Sequence, residues 1–266
     1  MPIDPQQAPD ASLSDAPAPA DVAAPGPAAV KPASIAPLWH TVLITALILG
    51  NSFLGASKLG AVHGTGSRIV LYGGTFVTQL VLFLLIWFGI RLRGVRMRDL
   101  IGGRWDTVED FLLDIGLAVG FIFAAGALLL GLRIALGTVD LHNLKKLEED
   151  TKRMLGPIAP HTYLEAGVFM LLSVSAGLFE EIIFRGYLQR QFHALARSAA
   201  LGIIASGAVF GLAHGYQGGR MMIVIGVFGM FFGILAYLRK SLRPGMMAHA
   251  IQDAYSGIAL FFLVRR

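Results

Sequence analysis

The chain contains no cysteine. Disulfides, thiolate metal sites and a cysteine nucleophile are therefore excluded, and cysteine usage says nothing about the redox compartment. Charge is scarce as well. Asp, Glu, Lys and Arg make up 15% of the 266 residues, where a soluble domain carries roughly 25%. Proline is nearly absent beyond residue 37, since nine of the twelve fall before that point. What the chain has in excess is apolar: 55% of residues are hydrophobic and the mean hydropathy is +0.65. Seven apolar stretches run over about 38–56, 69–90, 111–135, 163–184, 198–214, 221–238 and 245–263. Several approach the ~20 residues that cross a bilayer as helix. The expectation is an all-α, polytopic transmembrane helical bundle of about seven spans, with eight as the alternative.

Residues 1–37 are of different composition, with eleven alanines, four aspartates and Lys31 as the one cation. Such a segment buries too little apolar surface to offset its ordering entropy, so it reads as a disordered tail ahead of a transmembrane domain at 38–266. It lacks the basic start and short apolar core of a signal peptide. The net charge of +5 and pI near 9.7 do not point to nucleic acid. The cations sit in the breaks between apolar runs: Arg91, Arg93, Arg96, Arg98 and Arg104 in one, Arg185, Arg190 and Arg197 in another, Arg239, Lys240 and Arg243 in a third. Seven spans put all three breaks on one side, which the positive-inside rule makes cytoplasmic together with the tail. Arg265 and Arg266 then end outside, against the rule. Residues 140–155 read as a charged amphipathic helix in a loop on the other side.

Ionisable residues inside apolar spans are the informative ones, because each costs about 2.5–3.5 kcal/mol at mid-helix. They are Glu180, Glu181, His214, His249 and Asp253. Asp114 and Glu165 lie near span starts, where they are expected to reach the interface. Glu181 and Arg185 are spaced i, i+4 with the acid first, the favourable order, and form a self-neutralising structural pair. Glu180 projects about 100° away and is left without a local cation, as a general base would be. Phe210 and His214 share a face at i, i+4. Arg197 lies seventeen residues from both Glu180 and His214, so a hairpin turning there brings the two to one height. His249 and Asp253 again share a face, suited to a metal, a shared proton or an oxyanion. One difficulty is depth: His249 follows Arg243 closely, whereas Glu180 is far from Arg197. Either that hairpin projects beyond the bilayer or the levels differ.

Glu180-Glu181-x-x-Phe184-Arg185, Phe210-x-x-x-His214 and His249-x-x-x-Asp253 resemble, in order, the three motifs of the CPBP family of intramembrane proteases, also called the Abi or CAAX prenyl protease 2-like family. The resemblance covers about residues 165–260, and residues 1–110 carry no motif. It implies an intramembrane endopeptidase in which Glu180 activates water and His214 assists. Glu181 and Arg185 would be a structural pair, and His249 and the residue at 253 would stabilise the oxyanion. The family ends its third motif in Asn or Asp. An ionised Asp253 cannot donate a hydrogen bond, so that role requires it to keep its proton. The resemblance leaves the cofactor open: Glu180, His214, His249 and Asp253 are candidate zinc ligands, yet no HExxH-type spacing is present and a metal-free mechanism is favoured.

A membrane phosphatase is the rival enzyme, since Arg243-x5-His249-x3-Asp253 matches part of its third motif, but its other two motifs are missing and Glu180 and Glu181 would have no role. The non-enzymatic alternative is a scaffold or transporter that uses the carboxylates structurally or for proton relay. The expected partners are the lipid bilayer and a peptide or membrane-protein substrate, in a bacterial plasma membrane.

Overall fold

The computed structural model describes residues 33–58 and 64–266; most of the expected tail lies outside them. Within the described residues the regular structure is helical, and the seven apolar stretches all appear as helix. In chain order these are α1 (Leu38–Lys58), α2 (Gly64–Arg91), the short α3 (Met97–Ile101), α4 (Val108–Ala135), α5 (Leu144–Leu155) and α6 (Tyr163–Glu180). A π-helical segment, Glu181–Leu188, joins α6 to α7 (Gln189–Ala196). Then come α8 (Ala199–Ala213), a 3-10 turn (Gly215–Gln217), α9 (Gly219–Arg239) and α10 (Arg243–Val264). Six helices among the described residues are long and apolar enough to cross a membrane.

Two of the expected spans need correcting. The fourth does not stop near 184 but continues without a break to Ala196, 34 residues in all. At 1.5 Å per residue that is about 50 Å, well beyond a hydrocarbon core of about 30 Å. The fifth is short: α8 has 15 residues, or about 22 Å. Ser198 Oγ caps its start by accepting from Leu201 N, and it ends at His214. The helices meet at Arg197, whose φ of 55° turns the chain back. The hairpin is thus longer on one arm than a bilayer requires. α5 forms as expected, capped by Asn143 and braced by a Glu148–Lys152 pair at i, i+4.

The three cationic breaks do gather at one end. Arg190 donates to the carbonyls of Asp99 and Leu100, Arg243 to that of Gly102, and Gly102 pairs with Ser241 as an isolated bridge. Each guanidinium neutralises backbone carbonyls that have no helical partner at a chain turn. The beginning of α1 docks at this end too. Gln191 Oε1 accepts from the backbone N–H groups of Ile35 and Ala36, and its Nε2 donates to Ala36 O and Thr41 Oγ1. Ser34, Ile35 and Ala36, at the end of the segment read as tail, are held by bonds to Gln191.

Asp114 and Glu165 are buried within the protein rather than turned outward. Asp114 is 1% exposed and takes bonds from Arg239 Nε (2.9 Å) and Trp105 Nε1 (2.8 Å). Glu165 is fully buried, paired with Arg68 at 3.0 Å, and closes the start of α6 by accepting from the backbone of His161 and Thr162. Both are structural, but by ion pairing rather than by snorkelling. The core itself wraps the π-helical segment. All eight of its residues are buried, against Ile44 and Ile48 of α1, Ile86 and Ile90 of α2, Phe210 of α8 and Leu242.

Small residues set how closely the helices approach, as in membrane bundles where packing replaces hydrophobic drive. Gly177 is the contact that matters most here. A Cβ at this position would fall 2.6 Å from Met246 O and 2.7 Å from Ala250 N of α10. Only glycine lets α6, which carries the glutamates, lie directly on the helix that carries His249 and Asp253.

Candidate active site

The two adjacent glutamates straddle the change from α- to π-helix, and both turn toward α10. π-helical turns are rare and occur often at functional sites. Phe184 O accepts the i, i+5 bond from Gln189 N that marks this wider turn, and a second bond from Ser206 Oγ at 2.7 Å. Glu181 pairs with Arg185 at 3.0 Å, as its spacing predicts, with side chains 0% and 1% exposed. Arg185 also donates to Gly229 O at 3.1 Å. Its guanidinium lies 4.4 Å above the Phe210 ring and 5.0 Å from that of Phe232. The phenylalanine of the second motif is thus part of the cage around the arginine of the first, a cation–π contact strengthened by burial. Gly229 makes this possible, since a Cβ there would press on Phe210 at 2.8 Å.

His249 is the hub that joins the motifs. Its Nδ1 lies 3.1 Å from Glu181 Oε1; the carboxylate only accepts, so Nδ1 donates. Its Nε2 faces Glu180 Oε2 and Asp253 Oδ2, each at 3.7 Å. Both gaps are too long for a direct hydrogen bond. The two glutamates, read from sequence as projecting apart, therefore converge on one imidazole from its two nitrogens. Their surroundings still differ: the Glu180 side chain is 18% exposed and that of Asp253 39%, whereas Glu181 is sealed. Glu181 Oε2 has no hydrogen-bond partner among the described residues and sits against Gly245, where a Cβ would come within 3.1 Å.

His214 stands at the end of α8, its ring 4.8 Å from that of Phe210. Its Nδ1 donates to Phe210 O at 2.8 Å, so in the neutral ring the lone pair is on Nε2. His214 makes no direct bond to Glu180, but it is within electrostatic reach of Asp253. The hairpin turning at Arg197 thus brings all three motifs to one place.

Sequence reasoning missed two residues. Gln79 of α2 donates from Nε2 to Glu180 Oε1 at 2.9 Å. Tyr216, in the turn after His214, interacts electrostatically with both Glu180 and Asp253. Burial pushes its phenol up to about 12; the bond from Gln217 Nε2 opposes this and the two carboxylates add to it. It keeps its proton at neutral pH and can donate. A glutamine inside an apolar span was the available signal for Gln79; nothing in the order of residues pointed to Tyr216.

Residues 162–255 match the family model described as type II CAAX prenyl endopeptidase, Rce1-like. That segment is similar to Rce1-like domains. It contains all three motifs and agrees with the resemblance to the CPBP proteases. No curated protein and no solved structure matches the chain. With its six apolar helices the protein is a multi-pass integral membrane protein, and the Rce1-like domain supports intramembrane protease activity. As for a metal, no group of three or more His, Asp or Glu side chains among the described residues is arranged to hold one. His249 offers only Nε2, because Nδ1 is engaged by Glu181.

Proposed function

We propose that the protein is an intramembrane endopeptidase of the CPBP type, hydrolysing a peptide bond in a membrane-associated peptide or protein without a metal. One observation carries this reading. Asp114, Glu165 and Glu181 each pair with an arginine, as a scaffold would require, whereas Glu180 has no arginine or lysine in ion-pair contact among the described residues and keeps Oε2 open toward His249. An open, partly accessible carboxylate facing the His249 imidazole suits a general base.

In this mechanism Glu180 takes a proton from a water molecule, whose O–H bond breaks as its oxygen bonds to the carbonyl carbon. His214, basic at Nε2, accepts the water's second hydrogen as a hydrogen bond. The carbonyl electron pair moves to oxygen, and this oxyanion is met by His249 from Nε2 in its doubly protonated form and by Asp253 when protonated. On collapse the C–N bond breaks, and Glu180 returns its proton to the departing amine. Tyr216, which keeps its hydrogen, stands ready as a neutral donor. The cationic end with the N-terminal tail would be cytoplasmic, in a bacterial plasma membrane.

The test is mass spectrometry of peptides from membranes containing wild type or Glu180→Ala. Products that appear only with wild type support proteolysis and reveal the substrate; identical peptide sets overturn it. The cofactor question has its own expected result. Protein stripped by a strong chelator keeps its activity, and active preparations contain no stoichiometric zinc. Loss of activity on chelation, restored by zinc but not by magnesium, would replace this mechanism with one in which zinc lowers the pKa of bound water.

A further inference from the structure

Gln79 lies outside the matched segment, on a helix without any recognised motif. It is 5% exposed in the middle of α2, within the apolar run Phe76–Phe88. A buried amide in a membrane-spanning helix is costly unless its hydrogen bonds are made. Its described partners are two: Nε2 donates to Glu180 Oε1 at 2.9 Å, and Oε1 accepts from Ser175 Oγ at 3.3 Å. Ser175 is on α6 and its hydroxyl also reaches Leu172 O at 2.8 Å, so a single hydrogen is shared between the two acceptors. Ser175 therefore orients the amide, and the amide orients the carboxylate. With Oε1 engaged, Oε2 is the oxygen left toward His249 Nε2, 3.7 Å away.

We propose that Gln79 is a positioning residue for the base: it holds Glu180 by one oxygen so that the other, Oε2, takes the proton from water. This rests on the proteolytic reading given above. It follows that the Rce1-like segment is not a complete site, and that α2 supplies the contact that fixes its base. A carboxylate free to rotate about its last bond would present either oxygen, or neither, to the water. A misplacement on the scale of 1 Å costs about 10²-fold in rate.

The experiment uses the full chain in proteoliposomes and follows the peptides that wild type releases and Glu180→Ala does not. Gln79→Leu keeps the volume and removes the donor. It is expected to keep the wild-type thermal transition and KM while kcat falls about 10²-fold. A folded Gln79→Leu with wild-type kcat overturns the positioning role and leaves proteolysis intact. Absence of any wild-type-specific product overturns the proteolytic reading and this proposal with it. Should Gln79→Leu fail to fold, Gln79→Glu decides the matter. The new acid can donate to Glu180 only while it holds its own proton, so its pH–rate profile is displaced toward acid relative to wild type. A Gln79→Glu profile that coincides with wild type overturns the proposal.

Discussion

Glu180→Gln is expected to lower turnover by about 10²–10⁴-fold, the contribution typical of a general base. The amide keeps the shape of the carboxylate and can still accept the Gln79 hydrogen bond through its oxygen, so the local packing around α2 and α6 has no reason to change. What it loses is the ability to take a proton from water. The measurement pairs product release with a thermal transition in the same membranes or detergent. Lost activity with an unchanged transition separates chemistry from folding. Wild-type turnover in purified, folded Glu180→Gln would remove Glu180 from the role of base.

Its neighbour should fail in the other way. Glu181→Gln leaves the Arg185 guanidinium, 2% exposed and ringed by Phe184, Phe210 and Phe232, without its counter-charge. Removing one partner of a buried ion pair costs roughly 3–5 kcal/mol, most of it the penalty of the charge left behind. The same substitution weakens the acceptor for His249 Nδ1, so α10 loosens from the glutamate-bearing helix at the same time. The expected symptom is low yield and a lowered thermal transition rather than a pure loss of rate. Glu181→Gln combined with Arg185→Met should recover much of the stability, because no buried charge is then left without its counter-charge. A single Glu181→Gln variant as stable as wild type would mean that the ion pair is not what holds these helices.

The contrast between these adjacent residues shows how far local order goes. Seven apolar stretches separated by cationic breaks were readable because both hydropathy and charge are properties of short windows. The Glu181–Arg185 pair was readable because i, i+4 spacing places side chains together whatever surrounds the helix. The turn at Arg197 and the amphipathic α5 belong to the same class. Even the grouping of the three cationic breaks followed from counting passes, with no contact known. By itself, then, the sequence determined an all-α membrane bundle, the Rce1-like motifs and which residues were out of place in lipid.

The tertiary structure decided which of those residues meet. Asp114 with Arg239, Glu165 with Arg68 and Gln79 with Glu180 are separated by 125, 97 and 101 positions, and no local periodicity links them. The convergence of Glu180 and Glu181 on one imidazole likewise depends on the π-helical turn and on how near α10 can come. That approach is set at Gly177, where one methyl group would strike the α10 backbone. The physical reason is the range of the forces involved. Helix formation and charge avoidance act over a few residues, whereas the relative depth and rotation of two helices is fixed by where their small side chains permit backbone contact. This is why the sequence offers a candidate carboxylate, and only the packed bundle gives it Gln79 on one oxygen and His249 beyond the other.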